Sequence, residues 1–212
     1  MATGIKNLGS EVTEIATRVL GDSGLRKRKE VFTRHLSEDV LGWVGLNTAA
    51  HRGDGKLEIN PVIGVRHQPL EALVAQLIGM KYHSYVPPTV ATPIGYLMPG
   101  KKYAAWLFES GVDHVSNVEK MAEAINRYGF PFMEANTTLQ ALIDTMLHSG
   151  FGYPHQLAYR IPAAYLLVGE KTLAEQYVDD QLNELSDRKD MAAQHYRNFA
   201  AAFNELLSER KK

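Results

Sequence analysis

Residues 31–67 read VFTRHLSEDVLGWVGLNTAAHRGDGKLEINPVIGVRH, and this stretch decides the fold. Leu57, Ile59, Ile63, Val65 and His67 fall on one parity, while Glu58, Asn60, Gly64 and Arg66 fall on the other. A period of two predicts a strand with an apolar row facing a core and polar groups facing away. Arg52-Gly53-Asp54-Gly55 supplies the preceding turn, because glycine and aspartate accept positive φ. Upstream, Leu41 to Thr48 is rich in Trp, Val and Leu and reads as the antiparallel partner. Val31 to Leu36 is a third strand, turned by Ser37-Glu38-Asp39. This meander is the expected floor for the helices.

Working outward, Ser10 or Glu11 to Leu20 predicts a first helix with Ser10 as cap, ended by Gly21 and Gly24. After the meander, Pro69 to Ile78 predicts a short helix with Leu70, Leu73, Val74 and Leu77 on one side. Pro87-Pro88 marks a crossing loop. Ala91 to Met98 and Tyr103 to Phe108 then predict a hairpin around Pro99-Gly100, extending the sheet to about five strands. From Val115 the period becomes 3.6. A helix capped by Ser116 or Asn117 is expected to stop at Gly129 and Pro131, and one opening at Thr137 or Thr138 turns Leu139, Leu142, Ile143, Met146 and Leu147 inward. His155 to Val168 (broken or kinked at Pro162), Glu170 to Leu185 and Asp190 to Leu207 complete the chain. Strands first and helices after predict an α+β fold with an antiparallel sheet, one domain over 1–212 that is strand-rich to 110 and helix-rich from 111.

The 212 residues are 45% hydrophobic and 22% charged, with formal net charge -1. That balance produces no global field calling for nucleic acid or an anionic membrane. The chain has no cysteine, which excludes disulfides, thiolate catalysis and cysteine metal sites. The opening MATGIKNLGSEVTEIATRVL lacks the apolar stretch of a secretory signal, and no apolar run reaches the roughly 20 residues of a membrane span. A cytoplasmic protein of bacterial style is expected, with no membrane association.

None of the eight histidines forms His-x-His or His-Glu-x-x-His, so no metal is expected. His51 with Asp54 in the turn, and His83 between Tyr82 and Tyr85, are the most site-like, since a neutral histidine oriented by a carboxylate can act as general base. Histidines in such places also serve simply as backbone hydrogen-bonding groups. His148 and His155 flank a glycine-rich loop without a third ligand. No Gly-x-Ser-x-Gly elbow and no phosphate-binding glycine loop is present, so no catalytic residue and no cofactor is assigned. Arg26-Lys27-Arg28-Lys29 reads either as a phosphate-contacting edge or as a charged edge resisting strand pairing.

One charge pattern carries more weight. Between 170 and 187 the acids Glu170, Glu175, Asp179, Asp180, Glu184 and Asp187 face one base, Lys171. Like charges at i, i+4 destabilise an isolated helix by about 0.2–0.5 kcal/mol per pair. A helix carrying that load is either aimed at a basic partner or neutralised as an outer face. Tyr82, Tyr85, Tyr96, Tyr103 and Trp106 supply aromatic side chains of the kind that anchor interfaces or close a core.

The segment GLRKRKEVFTRHL (24–36), with its Gly–hydrophobic–basic–Lys start followed by Phe-x-Arg and a Trp-bearing strand, resembles small bacterial proteins of unknown function. YRIPAAYLLVGEKTLAEQYVDDQL (159–182) is similar to their helical tail, where a Leu-Leu-x-Gly turn joins two helices. The likeness covers about the first 70 residues and 130–205, in structural motifs without a catalytic residue. It implies an immunity-type factor that binds a toxin or effector. The resulting expectation is a non-catalytic binding protein using Glu175, Asp179, Asp180, Glu184, Tyr82 and Tyr85. Two readings stand beside it: an enzyme or ligand binder with a pocket at His51, Asp54 and His83, and a nucleic-acid binder through Arg26 to Lys29. The oligomeric state is not specified by the sequence.

Overall fold

A computed structural model describes the backbone of residues 2–51 and 55–209, and the side chains among these from residue 7 onward except those of 50 and 51. The fold is α+β. Six strands form one sheet in the order β1 (Arg26–Arg28), β2 (Val31–His35), β3 (Val40–His51), β4 (Lys56–His67), β5 (Val90–Pro93), with β6 (Trp106–Glu109) also on β4. The predicted meander is present as the neighbours β2, β3 and β4, with β2 antiparallel to β3 and Thr33 opposite Trp43; β6 lies antiparallel to β4, with Leu57 opposite Phe108.

The chain makes two compact units, Met1–Arg66 with Ala91–Thr137, and His67–Val90 with Thr138–Lys212. In the first, α1 (Ala2–Asp22) packs on β1, β6 and α3 (Val115–Ala124). Leu8, Val12, Ala16 and Leu20 recur every fourth residue and are buried. The helix therefore starts well before the expected Ser10 cap and also runs through Gly21. It stops at Gly24, whose φ is +82°. There the Gly24 N–H donates to Gly21 O and the Leu25 N–H to Leu20 O, closing the helix in the pattern a left-handed glycine permits.

Three expectations are corrected here. Alternation on β4 holds only at its start, because Asn60 and Arg66 on the polar parity are buried as well. The hairpin of Ile94 to Phe108 does not form, and both of its strands lie on β4 instead. Ile94–Tyr96 is a 3-10 turn, and a Cβ on Gly95 would sit 2.0 Å from the Lys102 carbonyl oxygen. The chain is thus folded back on itself too tightly for a ladder, and the Asn60 side chain donates to the Ala104 carbonyl in place of a neighbouring strand. Lastly, Gly129 and Pro131 do not end the third helix. It passes through a π turn (Ile125–Gly129) into α4 (Phe130–Ala135), and the wider turn accommodates the proline's missing N–H and its ring.

The second unit is built from α2 (Gln68–Leu77), α5 (Leu139–His148), α6 (Pro154–Leu167), α7 (Lys171–Glu184) and α8 (Met191–Glu209). α6 packs on α2, α5 and α7, while α8 packs on α2 and α7. Tyr159, Tyr196, Phe199 and Phe203 form an aromatic cluster with ring centroids 5.0 to 5.9 Å apart. α6 is continuous through Pro162. A proline cannot donate to the carbonyl four residues back, here that of Ala158, and the Tyr196 hydroxyl reaches that oxygen at 3.5 Å. Of the residues assigned inward on α5, Leu142, Ile143 and Met146 are buried, whereas Leu147 is exposed. No helix among the described residues is long and apolar enough to cross a membrane.

Candidate functional site

The densest polar arrangement lies in the second unit, at the start of α2. His67 caps that helix: its Nδ1 accepts the Leu70 N–H at 3.3 Å. Pro69 in the first turn has no N–H to satisfy and a φ already helical. Leu70, Leu73, Val74 and Leu77 turn inward as the sequence predicts, and Glu71 goes with them. An acid in the first turn suits the helix dipole, but a buried one needs partners.

Arg160 on α6 supplies the main one. Its Nε donates to Glu71 Oε1 at 2.7 Å and its Nη2 to Oε2 at 3.1 Å, while Nη1 donates to Gln156 Oε1 at 2.6 Å. The two side chains are 4% and 5% exposed. Such a fork is the strongest ordinary hydrogen-bonding geometry, and desolvation of both charges offsets much of its benefit. A second donor comes from Thr89, whose hydroxyl reaches Glu71 Oε1 at 2.9 Å and accepts the His67 N–H at 3.0 Å. One hydroxyl therefore ties the residue after the crossing loop to the start of α2.

The loop between them is exposed. Gly79, with φ +66°, ends α2, and the Met80 N–H donates back to Ala75 O. Midway, the Tyr82 hydroxyl donates to Gln68 Oε1 at 2.8 Å and Gln68 Nε2 donates to the Ser84 carbonyl at 2.9 Å. The Tyr85 N–H donates to His83 Nδ1, and the two rings meet edge-on at 6.3 Å. Ile78, Met80 and Tyr82 present apolar surface to solvent, Met80 at 66% exposure. The loop is thus held at both ends and at its middle while its apolar side chains remain uncovered.

The second unit also holds the predicted acids. On α7, Ala174 and Val178 are buried, Asp179, Asp180 and Glu184 are exposed, and Glu175 is half-buried. Glu184 accepts from Gln181, and its charge, after burial, helps to raise the Tyr177 phenol above its ordinary range. All six residues expected to bind a partner therefore belong to one compact unit, on two separate elements. The pocket reading fares differently: the His51 side chain and Asp54 lie outside the described residues, and His83 is exposed on the loop.

Strand alternation splits the basic run, placing Lys27 on the opposite side of β1 from Arg26 and Arg28; Lys29 sits in a left-handed turn, φ 57°. Lys27 lines an open groove of about 710 Å³ with Thr13, Glu14, Thr17 and Arg18 of α1, so its cations have a carboxylate beside them. His148 bonds the Asp144 carbonyl and His155 stacks on Tyr153. Among the described residues no group of three His, Asp or Glu side chains is placed to hold a metal ion.

No family model, curated protein or solved structure matches the chain. The site therefore rests on its own geometry. Sequence reading passed over Glu71, Thr89, Gln156 and Arg160. Two signals were available: Glu71 adjoins the apolar row of α2, and Arg160 is the lone charge between His155 and Glu170.

Proposed function

We propose that the protein is a non-catalytic binding module whose second unit engages another protein through the exposed face of the loop at Ile78, Met80 and Tyr82, with α7 attracting a basic partner. The observation that carries this reading is the pinned loop: apolar and aromatic side chains held uncovered in one conformation. Anchors fixed before binding lose less conformational entropy on association, and aromatic and methionine side chains are enriched at interfaces. The acids of α7 act at longer range, accelerating encounter with a cationic surface. The finer form of the proposal is an immunity-type factor in the cytoplasm, occupying a toxin or effector, as the resemblance at 24–36 and 159–182 implies.

Affinity capture of the tagged full chain from its native lysate, read by mass spectrometry, tests the reading. One stoichiometric protein partner is expected, with retention lost in the double variant Met80→Ser/Tyr82→Ala. Reversing Asp179, Asp180 and Glu184 to lysine should slow association with that partner, more at low salt than at high salt, without changing the circular dichroism spectrum. Capture that ignores the loop substitutions, or that yields no stoichiometric protein, overturns the reading.

A further inference from the structure

We propose that Thr89, Glu71 and Arg160 are positioning residues that make the 79–88 loop a separately releasable element with one ordered form. The link to binding rests on the function proposed above; the positioning itself does not. Residues 79–84 of the loop are all exposed, as is Pro87, while Tyr85, Val86 and Pro88 are half-buried. Its order comes from attachments. Gly79 and the Met80 N–H fix the entry, Gln68 holds Tyr82 and Ser84, and Thr89 fixes the exit.

The exit is the attachment that reaches deepest. Thr89 is fully buried, and its hydroxyl joins the His67 N–H to Glu71, which Arg160 holds in a two-point fork. α6 thereby determines where the loop ends, through three side chains. Removing the Thr89 hydroxyl alone leaves the Glu71–Arg160 fork joining α2 to α6 and leaves β5 beginning at Val90, so the helices keep their pairing while the loop loses its buried side-chain attachment to α2. Local opening of this kind follows the number of buried attachments an element has.

Thr89→Val keeps size and branching and deletes the hydroxyl; Thr89→Ser keeps the hydroxyl and deletes a methyl. Hydrogen exchange on the full-length chain, read by mass spectrometry, compares peptides over 79–88 with peptides from α6 and α8, and tryptic cleavage after Lys81 reports the same opening. For Thr89→Val the expected result is about tenfold faster exchange and cleavage in the loop, with α6 and α8 unchanged, and wild-type behaviour for Thr89→Ser. Exchange raised equally in all three regions, or a Thr89→Val chain that fails to fold beside a native Thr89→Ser chain, would show the hydroxyl serving general stability and overturn the proposal. Loop exchange that does not change would assign the loop's order to its other attachments, Gln68 and the Met80 N–H among them, and overturn it equally. No partner enters this test, so a positioned loop that captures no protein would sink the function proposed above and leave the positioning standing.

Discussion

Substituting Arg160 by methionine keeps an unbranched stem as far as the position of Nε and removes the guanidinium with its charge and three hydrogen bonds, two to Glu71 and one to Gln156. The buried Glu71 carboxylate would keep the Thr89 hydroxyl but lose the Arg160 guanidinium. Breaking one side of a buried pair costs about 3–5 kcal/mol, because an uncompensated charge is left inside. With a urea dependence near 2 kcal/mol/M, the unfolding midpoint should fall by roughly 1.5–2.5 M. The double variant Glu71→Leu/Arg160→Met removes both charges and should lie within about 1–2 kcal/mol of the parent, the residue being the Thr89 hydroxyl that loses its acceptor. Urea unfolding followed by circular dichroism at 222 nm measures all the corners of the cycle. A coupling of at least about 2 kcal/mol is expected. Equal losses in Arg160→Met and in the double variant would refute the reasoning, since they would mean that the space filled by the guanidinium and its bond to Gln156, and not charge compensation with Glu71, hold the site.

Other outcomes follow from the same geometry. Tyr196→Phe should cost about 1 kcal/mol by thermal unfolding, and markedly less in a Pro162→Ala background, where the Ala158 carbonyl regains a helical donor. Burial also pushes the Tyr196 phenol well above its ordinary value of 10.0. Its protonated form thus supports the fold up to that value, and the support is lost as pH rises through the folded value. Gly95→Ala should be severely destabilising, because the added Cβ meets the Lys102 carbonyl oxygen at 2.0 Å; Gly42→Ala should be milder, since the nearest atom at 2.7 Å is the flexible Met133 sulfur. The Asp190 carboxyl is held at about 2, below 3.8, by the Arg188 guanidinium first and the Ala193 N–H next. Its contribution is therefore present above 3.8 and fades as pH falls toward 2, and a carbon NMR titration should move its midpoint upward in Arg188→Gln.

Much of the architecture was legible because it rests on local pattern. The strands from Val31 to His67 and the inward rows of α2 and α5 follow from periodicities of two and 3.6. The misreadings share a cause in tertiary context. Pro131 and Pro162 are helix breakers by local rules, yet a π turn accommodates one and a tyrosine from α8 reaches the carbonyl that the other leaves without a helical donor. Pro99-Gly100 does form a turn, but the close approach at Gly95 and the Asn60 side chain send the flanking segments to β4 instead of to each other. The site was legible only in its outer parts: Tyr82, Tyr85 and the α7 acids are visible in composition and spacing. Glu71 and Arg160 are 89 positions apart, and a charge's burial is invisible until the element opposite is known.

The π turn between α3 and α4 has a consequence for how this chain tolerates change in length. A turn of that kind is one residue longer than the α-helical turn it replaces, so the segments before and after it keep the phase of a helix one residue shorter. Val118 and Met121 before the turn and Met133 after it are all buried, and the surplus residue is what lets both sides face inward. Removing exposed Arg127 should leave that alignment intact, while restoring the conflict between the Pro131 ring and the carbonyl before it, worth about 3 kcal/mol. Deleting Arg127 together with Pro131→Ala should yield an unbroken α-helix with Met133 still inward. A one-residue deletion within α8 would instead rotate everything beyond it by about 100° and carry Phe203 and Leu207 out of the core. The helix from Val115 to Ala135 thus contains a position at which the polypeptide can be shortened without being re-registered.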